Sequence, residues 1–165
     1  MIRPIVIWPD NRLHLVSAPV PEFADVNVLV EDMFETMYDA NGVGLSAIQI
    51  GVPLRVMVMD TGKQYVFINP TVTFLDGNKE KVNEGCLSIP GIFEQIFRLP
   101  SIRIEAYDRN WLRVEQVFHG FEAQCIQHEA EHFEGIVMAD KVNEETKAAW
   151  RAQLRRGKQK KAWEK

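Results

Sequence analysis

Cysteine is scarce in this 165-residue chain, which has only Cys86 and Cys125. Two thiols do not make the disulfide framework of a small secreted domain. In a chain of this size they are more often kept reduced for metal binding or catalysis, so a reducing, cytoplasmic setting is expected. Long apolar runs are missing too. Near the start only Ile5 to Trp8 is uniformly apolar before Pro9 breaks it, far short of the roughly 20 residues that span a bilayer, so neither a signal peptide nor a membrane anchor is expected. There is no internal repeat, no linker rich in Gly, Pro or Ser, and no strict alternation of strands and helices, which excludes a solenoid and a doubly wound parallel sheet. What is present, 46% hydrophobic and 25% charged residues, suits one soluble globular domain with its own core.

The net charge of −4 is unevenly spread. From Lys147 to Lys165 eight Lys or Arg face the single acid Glu164, so that this stretch carries +7 and the rest −11. An acidic body with a basic tail points to an anionic partner for the tail alone, unless the charges simply solvate a helix end.

Periodicity predicts a first helix from Asp25 to Ala40, where Val26, Leu29, Val30, Met33, Phe34 and Met37 form one apolar stripe and Asn41-Gly42 stops it. Short strands follow at Leu54–Met59, Tyr65–Asn69 and Val72–Leu75, the last running into an Asp76-Gly77 turn. Alternation at Ile102–Tyr107 and Leu112–Phe118 predicts an antiparallel pair. A second helix begins after Gly120 and ends at a capping Gly135. A third has Asn143 as its cap, Glu144 and Glu145 in its first turn, Arg155 and Arg156 in its last and Gly157 just beyond, with a frayed tail after it. The expected fold is α+β: antiparallel sheets around a central helix, with an N-terminal helix and a basic C-terminal helix. Residues 1–142 would form the catalytic domain, and 143–165 a basic helix and tail packed on or extending from it.

The central helix carries His128-Glu129-Ala130-Glu131-His132. Imidazoles four residues apart share one helical face and can grip one ion, with a carboxylate beside them. This chain's own residue frequencies give an accidental HExxH a chance of roughly one per cent. A hydrolytic metal needs a third protein ligand and one open position for water. The extended zincin pattern would put a histidine where Met138 stands, so that pattern fails. Glu144 and Glu145 are explained by their place at a helix start. Cys86 is the better candidate, presented in EGCLSIP between Gly85 and Pro90 on a constrained stretch outside any strand, although a lone cysteine is more often a small buried hydrophobe.

Three segments in this order, GVGLSAIQIG (42–51), EGCLSIP (84–90) and QHEAEH (127–132), resemble the peptide deformylase family, and the similarity runs from Pro9-Asp10 to about Val137. The resemblance implies metal-dependent hydrolysis of the N-formyl group from N-formylmethionyl peptides of newly made proteins, with release of formate. It implies Cys86, His128 and His132 as ligands of one divalent metal, usually iron(II), a site that zinc, nickel or cobalt can also occupy. Glu129 becomes the general acid/base, while Gln49 and the Leu87 backbone N–H become the oxyanion donors. Val43 and Gly44 become the edge that binds the peptide, Val43 and Cys125 line the methionine pocket, and Glu84 with Arg98 braces the cysteine segment. The basic C-terminal helix would dock near the ribosomal exit tunnel, as in some relatives. The chain departs from the family pattern at Ser46, where alanine is usual, at Glu131, where aspartate is, and at Phe133, where leucine is common. The alternatives are an HExxH metallopeptidase, which would not need Cys86, and a catalytically silent ribosome-binding module.

Overall fold

The computed structural model describes residues 1–75 and 77–163. Helix α1 spans Asn27–Asp39 and buries Val30, Met33, Phe34 and Met37, the stripe read from the sequence. Asn41, at φ 56, and Gly42 end it by donating to Tyr38 O and Met37 O. Five strands, β1 (Gly44–Ser46), β2 (Val56–Asp60), β3 (Gln64–Phe74), β6 (Ser101–Tyr107) and β7 (Arg113–His119), form an antiparallel sheet in the order β1-β2-β3-β6-β7. β3 joins the two strands expected at 65–69 and 72–75. Its register against β6 shifts between Ile68 and Thr71, because Asn69 adopts φ 50 and Pro70 has no N–H for the ladder. Of the expected Asp76-Gly77 turn, Asp76 lies outside the described residues.

Strands β4 (Glu80–Cys86) and β5 (Ile89–Arg98) form a separate two-stranded sheet. Cys86 therefore closes a strand, a correction to the sequence reading. The constraint foreseen around it is a break in pairing: Gly85 faces Phe93, but Cys86 faces Ile89, so residues 90–92 bulge out, with Gly91 at φ 76 and Pro90 where no ladder donor is needed.

Helix α2 (Gly120–Phe133) packs on the large sheet through Ala123, Ile126 and Phe133, which share a core with Met57, Phe67, Ile102 and Phe118. It ends in a Schellman motif, with Gly135 N donating to His132 O and Ile136 N to Glu131 O. Gly135 is at φ 72, and a Cβ there would lie 2.4 Å from His14 O, so no other residue fits.

Helix α3 (Glu144–Trp163) starts at the expected cap, Asn143 Oδ1 accepting from Thr146 N at 2.8 Å. It runs through Gly157 to Trp163 instead of stopping there, since glycine in an exposed helix costs only about 1 kcal/mol. Of the tail expected to fray, 158–163 is helical and 164–165 lies outside the described residues. Trp150 anchors α3 in a core with Trp8, Leu13, Ile92 and Met138, so Met138, silent as a ligand, is a core residue. No helix among the described residues is long and apolar enough to cross a membrane.

Candidate metal centre

His128 and His132 lie one turn apart on α2, and both are buried. Their Nε2 atoms are 3.2 Å apart, and Cys86 Sγ lies 3.5 Å from His132 Nε2. A tetrahedral ion with ordinary metal–nitrogen and metal–sulfur bonds has edges of about 3.3 Å between nitrogens and about 3.6 Å from nitrogen to sulfur. The two edges that meet at His132 Nε2 match those lengths, and all three donors lie within 4.8 Å of one another, so a small rearrangement would let them hold one ion.

The orientation of His128 is fixed from behind. Its Nδ1 donates to Glu84 Oε1 at 2.5 Å, leaving the Nε2 lone pair for a metal. Arg98 grips the same carboxylate twice, through Nε to Oε2 at 2.9 Å and Nη2 to Oε1 at 2.6 Å. Arg98 also pairs with Glu131, which in turn holds Lys141 Nζ at 2.6 Å. Glu84 and Arg98 are only 5% and 6% exposed, so this is a buried brace and not a surface ion pair. Burial pushes the Glu84 carboxyl up, but the hydrogen bonds from His128 and Arg98 outweigh it and hold the pKa at about 2. At His132, burial and the neighbouring His128 both push the imidazole down, toward the neutral form that ligates.

Glu129, next to His128, is 4% exposed, and burial lifts its carboxyl above the ordinary range, as suits a proton carrier. Gln49 sits in the buried single turn Ala47–Ile50. Its Oε1 accepts from Ser46 N at 2.9 Å, so its Nε2 points toward Ser88 Oγ at 3.1 Å and Cys86 Sγ at 3.6 Å. β1 is an edge strand, paired to β2 alone within its sheet, and Val43 and Gly44 stand where it begins. A Cβ on Gly44 would lie 2.7 Å from Cys125 Sγ and 3.1 Å from Glu129 Oε1, so strand and helix touch because this residue is glycine. Burial, then the Glu129 charge, pushes the Cys125 thiol well up, and it stays neutral. A cavity of about 410 Å³ opens between the β1 edge, the hairpin and α2, lined by Val43, Leu87, Cys125 and Glu129 and flanked by Phe93 and Phe121.

Residues 2–148 match the family model described as polypeptide deformylase. The chain belongs to the polypeptide deformylase family. A peptide deformylase of Hahella chejuensis is 44% identical over 141 residues, covering 82% of this chain and 84% of that protein. A peptide deformylase structure from Legionella pneumophila superposes with a TM-score of 0.92 at 36% identity, covering 98% of each chain. One from Ehrlichia chaffeensis in complex with actinonin gives 0.89 at 34% identity, covering 94% of this chain and 97% of that one.

All the site residues named from this deformylase-family sequence fall around one cavity or in its immediate support. Cys86, His128 and His132 converge. Glu129, Gln49, Leu87, Val43, Gly44 and Cys125 surround them, and Glu84 with Arg98 stands behind His128. Sequence reasoning missed Phe93 and Phe121 at the mouth and the contact of Ser46 with Glu129. Phe93 had no signal, because it lies in a strand that was not foreseen. Glu131 was read only as a departure from aspartate, yet its longer side chain reaches both Arg98 and Lys141.

Proposed function

We infer that this chain is a peptide deformylase, which hydrolyses the N-formyl group of N-formylmethionyl peptides of newly made proteins and releases formate. The observation that carries the reading is the convergence of Cys86 Sγ with the Nε2 atoms of His128 and His132 beside the buried Glu129, in a chain of this family. The proposed cofactor is one divalent ion held by those three atoms, iron(II) in the cell, with zinc, nickel or cobalt able to replace it. Such an ion supplies a Lewis acid that acidifies water near neutral pH.

The chain's own residues account for the remaining steps. The formylated peptide lies extended along the β1 edge at Val43 and Gly44, with the methionine side chain against Val43 and Cys125. Glu129 takes the proton of the attacking water and then delivers it to the departing amine, whose bond to the formyl carbon breaks as formate leaves. The oxygen of the formyl group, negative while the carbon is tetrahedral, is met by Gln49 Nε2 and the Leu87 N–H. Each such donor is worth about 3 kcal/mol of transition-state stabilisation. Glu84 and Arg98 keep His128 in its ligating orientation.

The catalytic unit in this reading is 1–142, acting in the cytoplasm. The basic segment 143–165 is proposed to dock on the ribosome, a reading supported by exposed Arg155, Arg156 and Lys158 on a helix already anchored by Trp150. Reversing Arg155 and Arg156 to Glu should abolish co-sedimentation with ribosomes at low salt; unchanged co-sedimentation would remove the docking proposal.

The decisive experiment is formate release from formyl-Met-Ala-Ser by protein purified anaerobically with iron(II), beside Cys86→Ala and Glu129→Gln. Formate from the unaltered protein alone is the expected result. Internal peptide cleavage that survives Cys86→Ala would transfer the assignment to a metallopeptidase, and neither formate nor cleavage from metal-loaded protein would transfer it to a catalytically silent ribosome-binding module.

A further inference from the structure

Ser46 departs from the family pattern and has no part in the reaction as derived above, yet it is fully buried against the acid/base. Its Oγ lies 2.7 Å from Glu129 Oε2 and 2.9 Å from the Glu129 backbone oxygen. A hydroxyl has one proton to donate. The backbone oxygen belongs to a residue inside α2, where the helix ladder supplies a donor, so the carboxylate is the stronger claimant. Among the described residues Ser46 is the only side chain that hydrogen-bonds to this carboxylate. The terminal torsion of a glutamate is broad and roughly two-fold, so without such a contact the two oxygens would exchange places freely.

The other oxygen is constrained by what is missing beside it. Oε1 lies against Gly44, 3.1 Å from where a Cβ would stand, at the start of the β1 edge, and both residues line the cavity. One carboxylate oxygen is thus tied to the protein, while the other is offered at the glycine.

We propose that Ser46 is a positioning residue for deformylation: its hydroxyl holds Glu129 by Oε2 and so makes Oε1, along the Gly44 backbone, the oxygen that carries the proton. The bond serves throughout the cycle, because Oε2 remains an acceptor whether or not Oε1 bears a proton, and Ser46 itself gains and loses none. The Ser46 backbone N–H separately fixes Gln49 through its Oε1, a contact that survives loss of the hydroxyl. Removing the hydroxyl should therefore disturb proton transfer and leave the oxyanion donors in place.

The proposal rests on the deformylase reading, and the test separates the two. Iron(II)-loaded wild type and Ser46→Ala are compared on formyl-Met-Ala-Ser for kcat, KM, metal content and melting temperature, and the pair is repeated in a Glu129→Asp background. Ser46→Ala should lower kcat roughly tenfold through a misplaced proton carrier, leave KM within about twofold and keep the metal. In the Glu129→Asp background the shortened carboxylate no longer reaches Ser46, and Ser46→Ala should then cost little more. An unchanged kcat overturns the proposal, as does the same loss in both backgrounds, or a Ser46→Ala protein that is unfolded or has lost its metal. A wild type that releases no formate overturns the deformylase reading and this proposal together.

Discussion

Helices α2 and α3 deal with polar side chains in opposite ways. α2 buries Gln127, His128, Glu129 and His132, whereas α3 buries Trp150 and leaves Arg155, Arg156 and Lys158 in solvent. Burying a polar group costs free energy unless a partner meets it. The partners of α2 come from elsewhere in the chain: Gln127 exchanges hydrogen bonds with both Leu99 backbone atoms, His128 meets Glu84, and Glu129 meets Ser46. α3 needs no such support. Its Trp150 ring packs edge-on against Trp8 at 6.4 Å, and Arg151 covers the Trp8 ring at 5.2 Å. The contrast suits α2 to the proposed chemistry, at some cost to stability, and α3 to stability.

The largest effect should come from Glu129→Gln, which keeps the size of the side chain but can neither accept nor deliver the proton. We expect kcat to fall on the order of 10³-fold while the melting temperature stays or rises, since a buried charge is gone. A parallel loss of stability would mean that α2 is as structural as α3. Next is Arg98→Ala, which leaves the buried Glu84 with His128 alone and Glu131 with Lys141 alone. Removing one partner of a buried ion pair costs about 3–5 kcal/mol, to be read by urea unfolding. A Glu84 no longer held by Arg98 should orient His128 less firmly and weaken metal binding about 10–100-fold, read by competition with a chelator. Unchanged metal affinity would reduce the Glu84–Arg98 pair to a packing contact.

The same division explains what was legible in the sequence. α1 and β6 could be read because each has one apolar and one polar face, so burial leaves a period of 3.6 or 2, whereas α2, which buries polar side chains, was legible from HExxH and the glycines at its two ends. β5 could not. Ile92, Ile96 and Arg98 face inward, but Phe93 and Phe97 face out, at 67% and 57% exposure, so both faces carry apolar residues and the alternation disappears. Cys86, His128 and His132, which the structure brings together, and Glu129 beside them stood out because helix spacing and a family motif announce them. The hydrogen bond from Ser46 to Glu129 spans 83 residues between a strand and a helix, and no local pattern records such a pair. Gly157 misled for a different reason: in an exposed helix its penalty is small, and the helix continues.

On the α3 side the expected effects are smaller and leave activity alone. Trp150→Ala removes the ring that joins α3 to Trp8, Ile92 and Met138. Deleting a buried tryptophan costs about 3 kcal/mol in unfolding free energy. Urea midpoints should show that loss, with kcat per folded molecule unchanged. A fall in kcat would show that the core under α3 also sets the position of Cys86, which belongs to the same cluster.

The smallest expected effect, and the sharpest test of the division, is Asn143→Ala. Asn143 Oδ1 caps Thr146 N at 2.8 Å, and the neighbouring Glu144–Lys147 pair, at 3.1 Å with Glu144 in solvent, adds little. Loss of the cap should cost about 1 kcal/mol, seen as a small drop in melting temperature. Formate release and metal content should not change, because the cap's hydrogen bond lies within the first turn of α3. There is nonetheless a path between the two helices. The turn Met138–Lys141 precedes the cap, and Lys141 reaches Glu131, which pairs with Arg98 behind His128. If Asn143→Ala lowered metal content along with melting temperature, that path would be transmitting strain from α3 to the metal ligands, and the two helices would have to be treated as one unit.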